Sequence, residues 1–369
     1  MDLTKHSGDE PLAVERPLDG ERARRTFVRA GSVQFVVNPW AAGLGVVLAA
    51  VALVLFAVSI GTSSLPMTPI DVGRILLGGG TKFENVVVFD SQLPIGLVSL
   101  LVGFALGASG ALTQVTLRNP LATADMLGIT SGASAGAVVV ITFGATWASW
   151  LADLGLTVAA LLGGLLTALA MFLMTWRRGI DPIRLVLVGV AMTAGMQAFI
   201  AYLLTRAEVN QVQQAQLWIV GSVSGATWSK VWPLVAVVAV ALVIIAANAR
   251  NLAIISLGDE VSRSLGVRTS AVTGVVFVTA VVLAAVAVSA AGPIAFVALL
   301  APQVAVRLAR AEIPGAITSG LMGSVLVIGG EVLCRTVLPA GLPVGVVTAG
   351  VGGLALIYLM VQITRKASV

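Results

Sequence analysis

Charge is scarce in this sequence: Asp, Glu, Lys and Arg make up 11% of it, against about 25% in a soluble domain. There is one cysteine, Cys334, and one histidine, His6. A lone cysteine excludes an internal disulfide and a cysteine-cluster metal site. The sequence has no His-Glu-x-x-His motif, no aspartate-rich metal cluster and no Gly-x-x-x-x-Gly-Lys-[Ser/Thr] loop. ATP binding by the P-loop mechanism is therefore excluded, and if nucleotide drives this chain the ATPase is another polypeptide. Carboxylates are also rare inside the apolar stretches. That argues against ion-coupled transport, because proton and cation pathways use Asp, Glu or His within the spans. Gly132-Ala133-Ser134-Ala135-Gly136 satisfies the Gly-x-Ser-x-Gly nucleophile pattern. A serine nucleophile needs a base, and the only histidine lies near the N-terminus. Ser134 is better read as a helix-packing or hydrogen-bonding group.

What the sequence does have is apolar length. It is 58% hydrophobic with a mean hydropathy of +1.01. The runs 91–117, 126–152, 185–205, 269–306 and 336–364 contain no Asp, Glu, Lys or Arg. A membrane span needs about 20 apolar residues, and 269–306 is long enough for two, broken at Gly292-Pro293. The reading is an all-α polytopic membrane protein with ten spans near 41–61, 94–116, 126–144, 150–175, 183–205, 230–249, 270–290, 294–310, 314–337 and 343–364. With the N-terminus in the cytoplasm, 17 basic residues face inward, and only Arg74, Lys82, Arg206, Lys230 and Arg335, 5 in all, face outward. That asymmetry is the positive-inside rule, and it puts both termini in the cytoplasm. Basic residues scattered over several inner loops give no nucleic-acid surface.

Residues 1–38 are expected to form a polar, disordered cytoplasmic tail, with Arg22, Arg24, Arg25 and Arg29 near anionic membrane lipids. Residues 39–369 are expected to form the transmembrane domain. Gly103 with Gly107, and Gly132 with Gly136, have the spacing that lets helix backbones approach. Packing within one bundle is the favoured reading, and a dimer seam the other. Residues 67–77 read as a short surface helix in the first outer segment, and Trp218, Trp228 and Trp232 as interface anchors in the second. Glu331 and Arg335 stand at i and i+4, acid first, as a helical ion pair.

One stretch breaks the apolar pattern in a particular way. Residues 257–268, Leu-Gly-Asp-Glu-Val-Ser-Arg-Ser-Leu-Gly-Val-Arg, lie between two long spans on the inner side. Asp259, Glu260, Arg263 and Arg268 have little reason to gather there unless a cytoplasmic partner grips them.

Several motifs carry a resemblance. They are Leu112-Thr113-Gln114, Arg118-Asn119-Pro120-Leu121-Ala122 with Asp125 through Ala133, Leu217 through Ser222, the charged stretch itself, Ala291-Gly292-Pro293 through Pro302, and Leu342 through Ala349. In this order they are similar to signatures of the FecCD family, the membrane subunits of bacterial ABC importers for ferric siderophores, haem and cobalamin. The resemblance covers roughly residues 40 to 366 and implies a bundle like that of the vitamin B12 permease. It also implies a cytoplasmic ATPase dimer that holds ATP and Mg, a second permease subunit, an extracytoplasmic substrate-binding protein and an iron-chelate substrate. No cofactor is expected on this chain.

The resemblance makes residues 254–268 the coupling helices, with Leu257, Gly258, Asp259, Glu260, Arg263, Leu265 and Gly266 at or near the ATPase contact. Pathway candidates are Met192, Met196, Gln197 and Thr348. Docking candidates for the binding protein are Arg335, Arg74 and Gln92. Asn119, Pro120, Gly132, Gly136, Gly292 and Pro293 are structural motif positions. The chain departs from the family pattern in three places. Gln92-Leu93-Pro94-Ile95 replaces Arg-Leu-Pro-Arg, Pro302-Gln303 replaces Pro-His, and Ala311-Glu312-Ile313-Pro314 replaces an Asp-His-Arg turn. Such losses suggest one half of a heterodimer whose paralogue keeps the missing residues. The expected activity is siderophore import across the bacterial inner membrane. Cobalamin or haem import is the alternative within the family, and a stand-alone secondary transporter or an intramembrane hydrolase is the alternative outside it.

Overall fold

A computed structural model of the chain describes residues 26–30, 33–37, 39–62, 67, 69–76, 78–123, 125, 128–144, 155–175, 182–256, 258–339 and 341–367. The first elements are β1 (Thr26–Ala30), β2 (Val33–Val37), α1 (Pro39–Gly61), α2 (Pro69–Leu76) and α3 (Lys82–Val86). A π-helical turn (Val87–Gln92) then runs into α4 (Leu93–Leu117). After it come α5 (Ile129–Phe143), α6 (Gly155–Thr175), α7 (Pro182–Arg206), α8 (Val209–Val220) and α9 (Trp228–Ile255). The chain ends with α10 (Asp259–Ser264), α11 (Thr269–Ala291), α12 (Val297–Leu308), α13 (Ala316–Thr336) and α14 (Val344–Ala367).

Among the described residues, 7 helices are long and apolar enough to cross a membrane: α1, the continuous run 82–117, α6, α7, α9, α11 and α13. The apolar helices α5, α12 and 344–358 of α14 are shorter. Together these occupy the positions of the expected spans, so the chain is a multi-pass integral membrane protein. Some boundaries are corrected. The second span starts at Lys82 rather than at 94, because the π-turn carries the helix outward. Pro94 explains that turn: it has no N–H and its ring crowds the carbonyl four residues back, at Asp90, so the backbone widens there. The second outer segment contains a helix, α8, that apolar-run counting misses. The eighth span shrinks to α12, whose 12 residues rise about 18 Å, short of a core about 30 Å thick. Within the segment expected to be a disordered tail, β1 and β2 pair antiparallel, with Ala30 opposite Val33. Phe27, Val28, Phe35, Val36 and Val37 are β-favouring residue types.

Helix α4 is the hub and packs against α1, α9, α11, α12 and α13. Its small residues make this possible. A methyl placed on Gly103 would lie 2.3 Å from the Gly323 carbonyl oxygen, and one on Gly107 2.2 Å from that of Ser319. Gly110 meets the Ala298 carbonyl at 1.8 Å in the same sense. Lipid tails are as apolar as leucine, so helices here associate through such close packing and a few hydrogen bonds. Two bonds are in place: Ser109 Oγ donates to Ala280 O at 2.7 Å, and Ser324 Oγ to Leu100 O at 2.8 Å. The second glycine pair seats α5 on α6, with Gly132 against Thr167 and Gly136 against Ala159 and Gly163. Both glycine pairs therefore serve packing within the chain.

Candidate functional site

At the inner face, α9 ends at Ile255, the chain turns at Gly258 with φ 112°, and α10 begins at Asp259. Gly266, φ 77°, closes the far side before α11. Both glycines sit in conformations that side chains disfavour, which is why the charged helix is bracketed by them. Ser262 is fully buried, and its hydroxyl donates to Ile254 O at 3.0 Å and to Gly258 O at 2.6 Å. Arg118 Nη2 donates to the neighbouring Ile255 O at 3.2 Å. The last carbonyls of α9 are thus tied to α10 on one side and to the end of α4 on the other. Glu260 and Arg263 are exposed, and so are Val261 and Leu265. Val261 and Leu265 stand four residues apart, one helical turn, and form a small apolar face between the charges. Of the expected coupling residues, Gly258, Glu260, Arg263, Leu265 and Gly266 come together here. Leu257 and the side chain of Asp259 lie outside the described residues. Sequence reasoning missed Val261 and Ser262; the apolar spacing of Val261 with Leu265 was the available signal for the first.

The expected structural turn at Asn119-Pro120 stands beside this site. Arg118 takes a left-handed conformation, φ 47°, to end α4, and Asn119 Oδ1 accepts the Leu121 N–H at 3.0 Å. Gln303, the departure from Pro-His, braces that turn: its Nε2 donates to Gln114 Oε1 at 2.8 Å and to Pro120 O at 3.0 Å. Thr130 donates its hydroxyl to Asp125 Oδ1 at the start of α5. Ser134 is buried and donates back to Thr130 O at 2.9 Å, a packing role.

At the outer end three distant motifs meet in one junction. Gly221 (φ 81°) follows α8, and Gly292 (φ 72°) with Pro293 follows α11. A methyl on Gly221 would lie 2.1 Å from Pro293 O, one on Gly292 2.5 Å from Trp218 O, and one on Gly345 1.8 Å from Val220 O. Ser222 N donates to Ala291 O at 2.7 Å, and Gly345 N to Gly221 O at 3.1 Å. Irregular backbone at membrane depth is tolerated only when its polar groups are covered and paired, and here each segment covers the next. Trp228 Nε1 donates to Phe89 O at 2.9 Å and pins α9 to the π-turn. Trp218 is half-buried at the junction, so of the three tryptophans only the exposed Trp232 fits the interface-anchor reading without qualification.

The docking candidates divide. Arg335 Nε donates to Glu331 Oε1 at 2.7 Å, and its Nη1 donates to Gln92 Oε1 at 2.6 Å. Gln92 and Glu331 are buried, and the Arg335 side chain is 18% exposed. Gln92 and Arg335 are therefore turned inward on each other. Arg74 stays exposed, 3.5 Å from Glu84 and 4.0 Å from Asp71. Arg335→Met is expected to lower stability by about 3–5 kcal/mol, because Glu331 is left as an unpaired buried charge. The double variant Glu331→Gln/Arg335→Met should recover most of that loss. Thermal melting of the purified chain checks both.

The pathway candidates sit on α7, which packs against α5 and α6, and on α14, which packs against α12 and α13. On α7, Met192 and Met196 are half-buried, Met196 against the Ala135, Val138 and Ile200 cluster, while Gln197 is exposed. On α14, Thr348 is buried and donates to Gly345 O at 3.1 Å. It lines a cavity of about 190 Å³ with Phe296, Gly330 and Val351.

The FecCD transport family profile matches residues 47–362. The chain belongs to the FecCD transport family. It is 36% identical over 293 residues to the ferric enterobactin transport system permease protein FepG of Escherichia coli (strain K12), covering 79% of this chain and 87% of that one. It is 35% identical over 318 residues to the iron(3+)-hydroxamate import system permease protein FhuG of Bacillus subtilis (strain 168), covering 84% and 94%. A solved inward-facing structure described as a metal-chelate type ABC transporter superposes with a TM-score of 0.73 at 21% identity, covering 87% of this chain and 99% of that chain. In this FecCD member, the motifs that carried the resemblance gather mainly in two places, the inner face around α10 and the outer glycine junction.

Proposed function

We propose that this chain is the permease subunit of an ATP-binding cassette importer that moves a ferric siderophore across the bacterial inner membrane. The observation that carries the reading is the coupling helix: an exposed apolar and charged face on a buried Ser262 seat, at the inner side of a FecCD family chain. A cytoplasmic ATPase dimer holding ATP and Mg would grip Glu260, Val261, Arg263 and Leu265. Motion of α10 would pass through the α9 carboxyl end to α4 and shift the bundle as a rigid body. An extracytoplasmic binding protein would deliver the chelate over the outer junction, with Arg74 as the docking candidate that stays exposed. The exposed faces of α7 and α14, which carry Gln197, Val190, Val351 and Leu354, fit a second permease subunit, with the pathway between the two. The loss of outer and inner family residues favours a paralogue over an identical copy.

Reconstitution with the neighbouring ATPase, permease and binding-protein chains tests this. ATP-dependent accumulation of radiolabelled ferric siderophore in vesicles is expected, with no uptake when the ATPase is omitted. Uptake driven by an ion gradient alone would overturn the importer reading, and preference for cobalamin or haem would overturn the substrate. A complex holding two copies of this chain would overturn the paralogue.

A further inference from the structure

An open groove of about 800 Å³ runs up the side of the bundle between α6, α9 and α11, beginning beside α10. Its walls are apolar: Phe172, Ile244, Val275 and Val278. Its inner mouth carries two guanidinium groups, Arg263 and Arg268, both exposed. No ion pair among the described residues uses either of them. Along α11 the groove reaches from Thr269 to Thr279, about 15 Å at 1.5 Å per residue. That is half of a hydrocarbon core about 30 Å thick, the depth of one leaflet. The mouth lies at the cytoplasmic border, where anionic headgroups sit and where basic pockets between helices capture them.

We infer that this groove is a binding site for one anionic phospholipid of the inner leaflet. The headgroup phosphate accepts from Arg263 and Arg268, and an acyl chain lies along Val275 and Val278. Shape and charge both select this occupant. A free phosphate would leave the apolar length unfilled, and a zwitterionic lipid would bring its own cation to two arginines. The site lies against the coupling helix, so a bound lipid would brace α10 from the membrane side. Arg263 is shared with the proposed ATPase contact, so lipid retention is measured on this chain without its ATPase, where its failure and that of the transport reading are distinguishable.

The test is native mass spectrometry of the full chain in detergent with equal phosphatidylglycerol and phosphatidylcholine. One phosphatidylglycerol is expected to remain bound preferentially. Arg263→Ala/Arg268→Ala should weaken that retention about tenfold or more, as loss of two charge-assisted contacts implies. Val275→Trp, which fills the apolar channel and keeps both arginines, should abolish it, while Arg263→Lys/Arg268→Lys should restore most of it. Unchanged elution and melting of the variants show that they remain folded. Equal retention of the two lipids by the parent, or undiminished phosphatidylglycerol on the alanine or the Trp variant, would overturn the inference. Full displacement by millimolar inorganic phosphate would also overturn it, since that assigns the arginines to a free anion.

Discussion

Gly221→Ala is expected to destabilise the chain by about 3–5 kcal/mol, summing a strained φ and an overpacked contact. The first term arises because Gly221 holds φ 81°. The second arises because the added methyl would meet Pro293 O at 2.1 Å, a backbone atom that cannot swing away. Gly345→Ala carries only the second term, against Val220 O at 1.8 Å, so it should fall between Gly221→Ala and the parent. Gly195→Ala and Gly350→Ala are the controls. Both glycines are helical with nothing within 4 Å of the added methyl, and alanine there should gain up to about 1 kcal/mol of helix propensity. Yield of monodisperse protein and its melting temperature read all four. A Gly221→Ala chain that melts with the parent would mean that the junction is not a rigid seam.

The legible and illegible parts of this molecule divide on physical lines. Span positions were readable because the bilayer demands long apolar helices, and the break at Gly292-Pro293 was visible because proline and glycine end helices. The short helix α10 was readable because charge flanked by glycines stands out against apolar runs. What lay hidden depends on which apolar face meets protein and which meets lipid. Both environments take the same residues, so α4, almost wholly buried, reads no differently from α1, largely exposed. The Gln92–Arg335 bond joins residues 243 apart, and nothing local announces it. Gln92 read as the loss of an outer charge. In the fold it supplies the acceptor that holds Arg335 in place over Glu331. The glycine junction was visible as three separate motifs, but only the bundle shows that they fit into one another.

Val261→Asp/Leu265→Asp is expected to cut ATP-dependent uptake about a hundredfold or more while leaving the chain folded. Both side chains are exposed, Val261 at 44% and Leu265 at 59%, so the isolated chain has little to lose. In a partner cleft each aliphatic side chain is worth about 1.5–3 kcal/mol on burial, and the substitution also asks the cleft to take two carboxylates. Co-purification of the ATPase should fail in parallel with transport. Ser262→Ala separates gripping from transmission. It keeps the docking face and removes the hydroxyl that ties α10 to Ile254 O. That leaves the part-buried Ile254 carbonyl one partner short, at a cost of about 1 kcal/mol. Its ATPase should still bind, yet fewer substrate molecules should move per ATP hydrolysed, because α10 can then rock without carrying α9 and α4. If Ser262→Ala transports as efficiently as the parent, the force passes by another route, and the Arg118 bond to Ile255 O becomes the element to cut next.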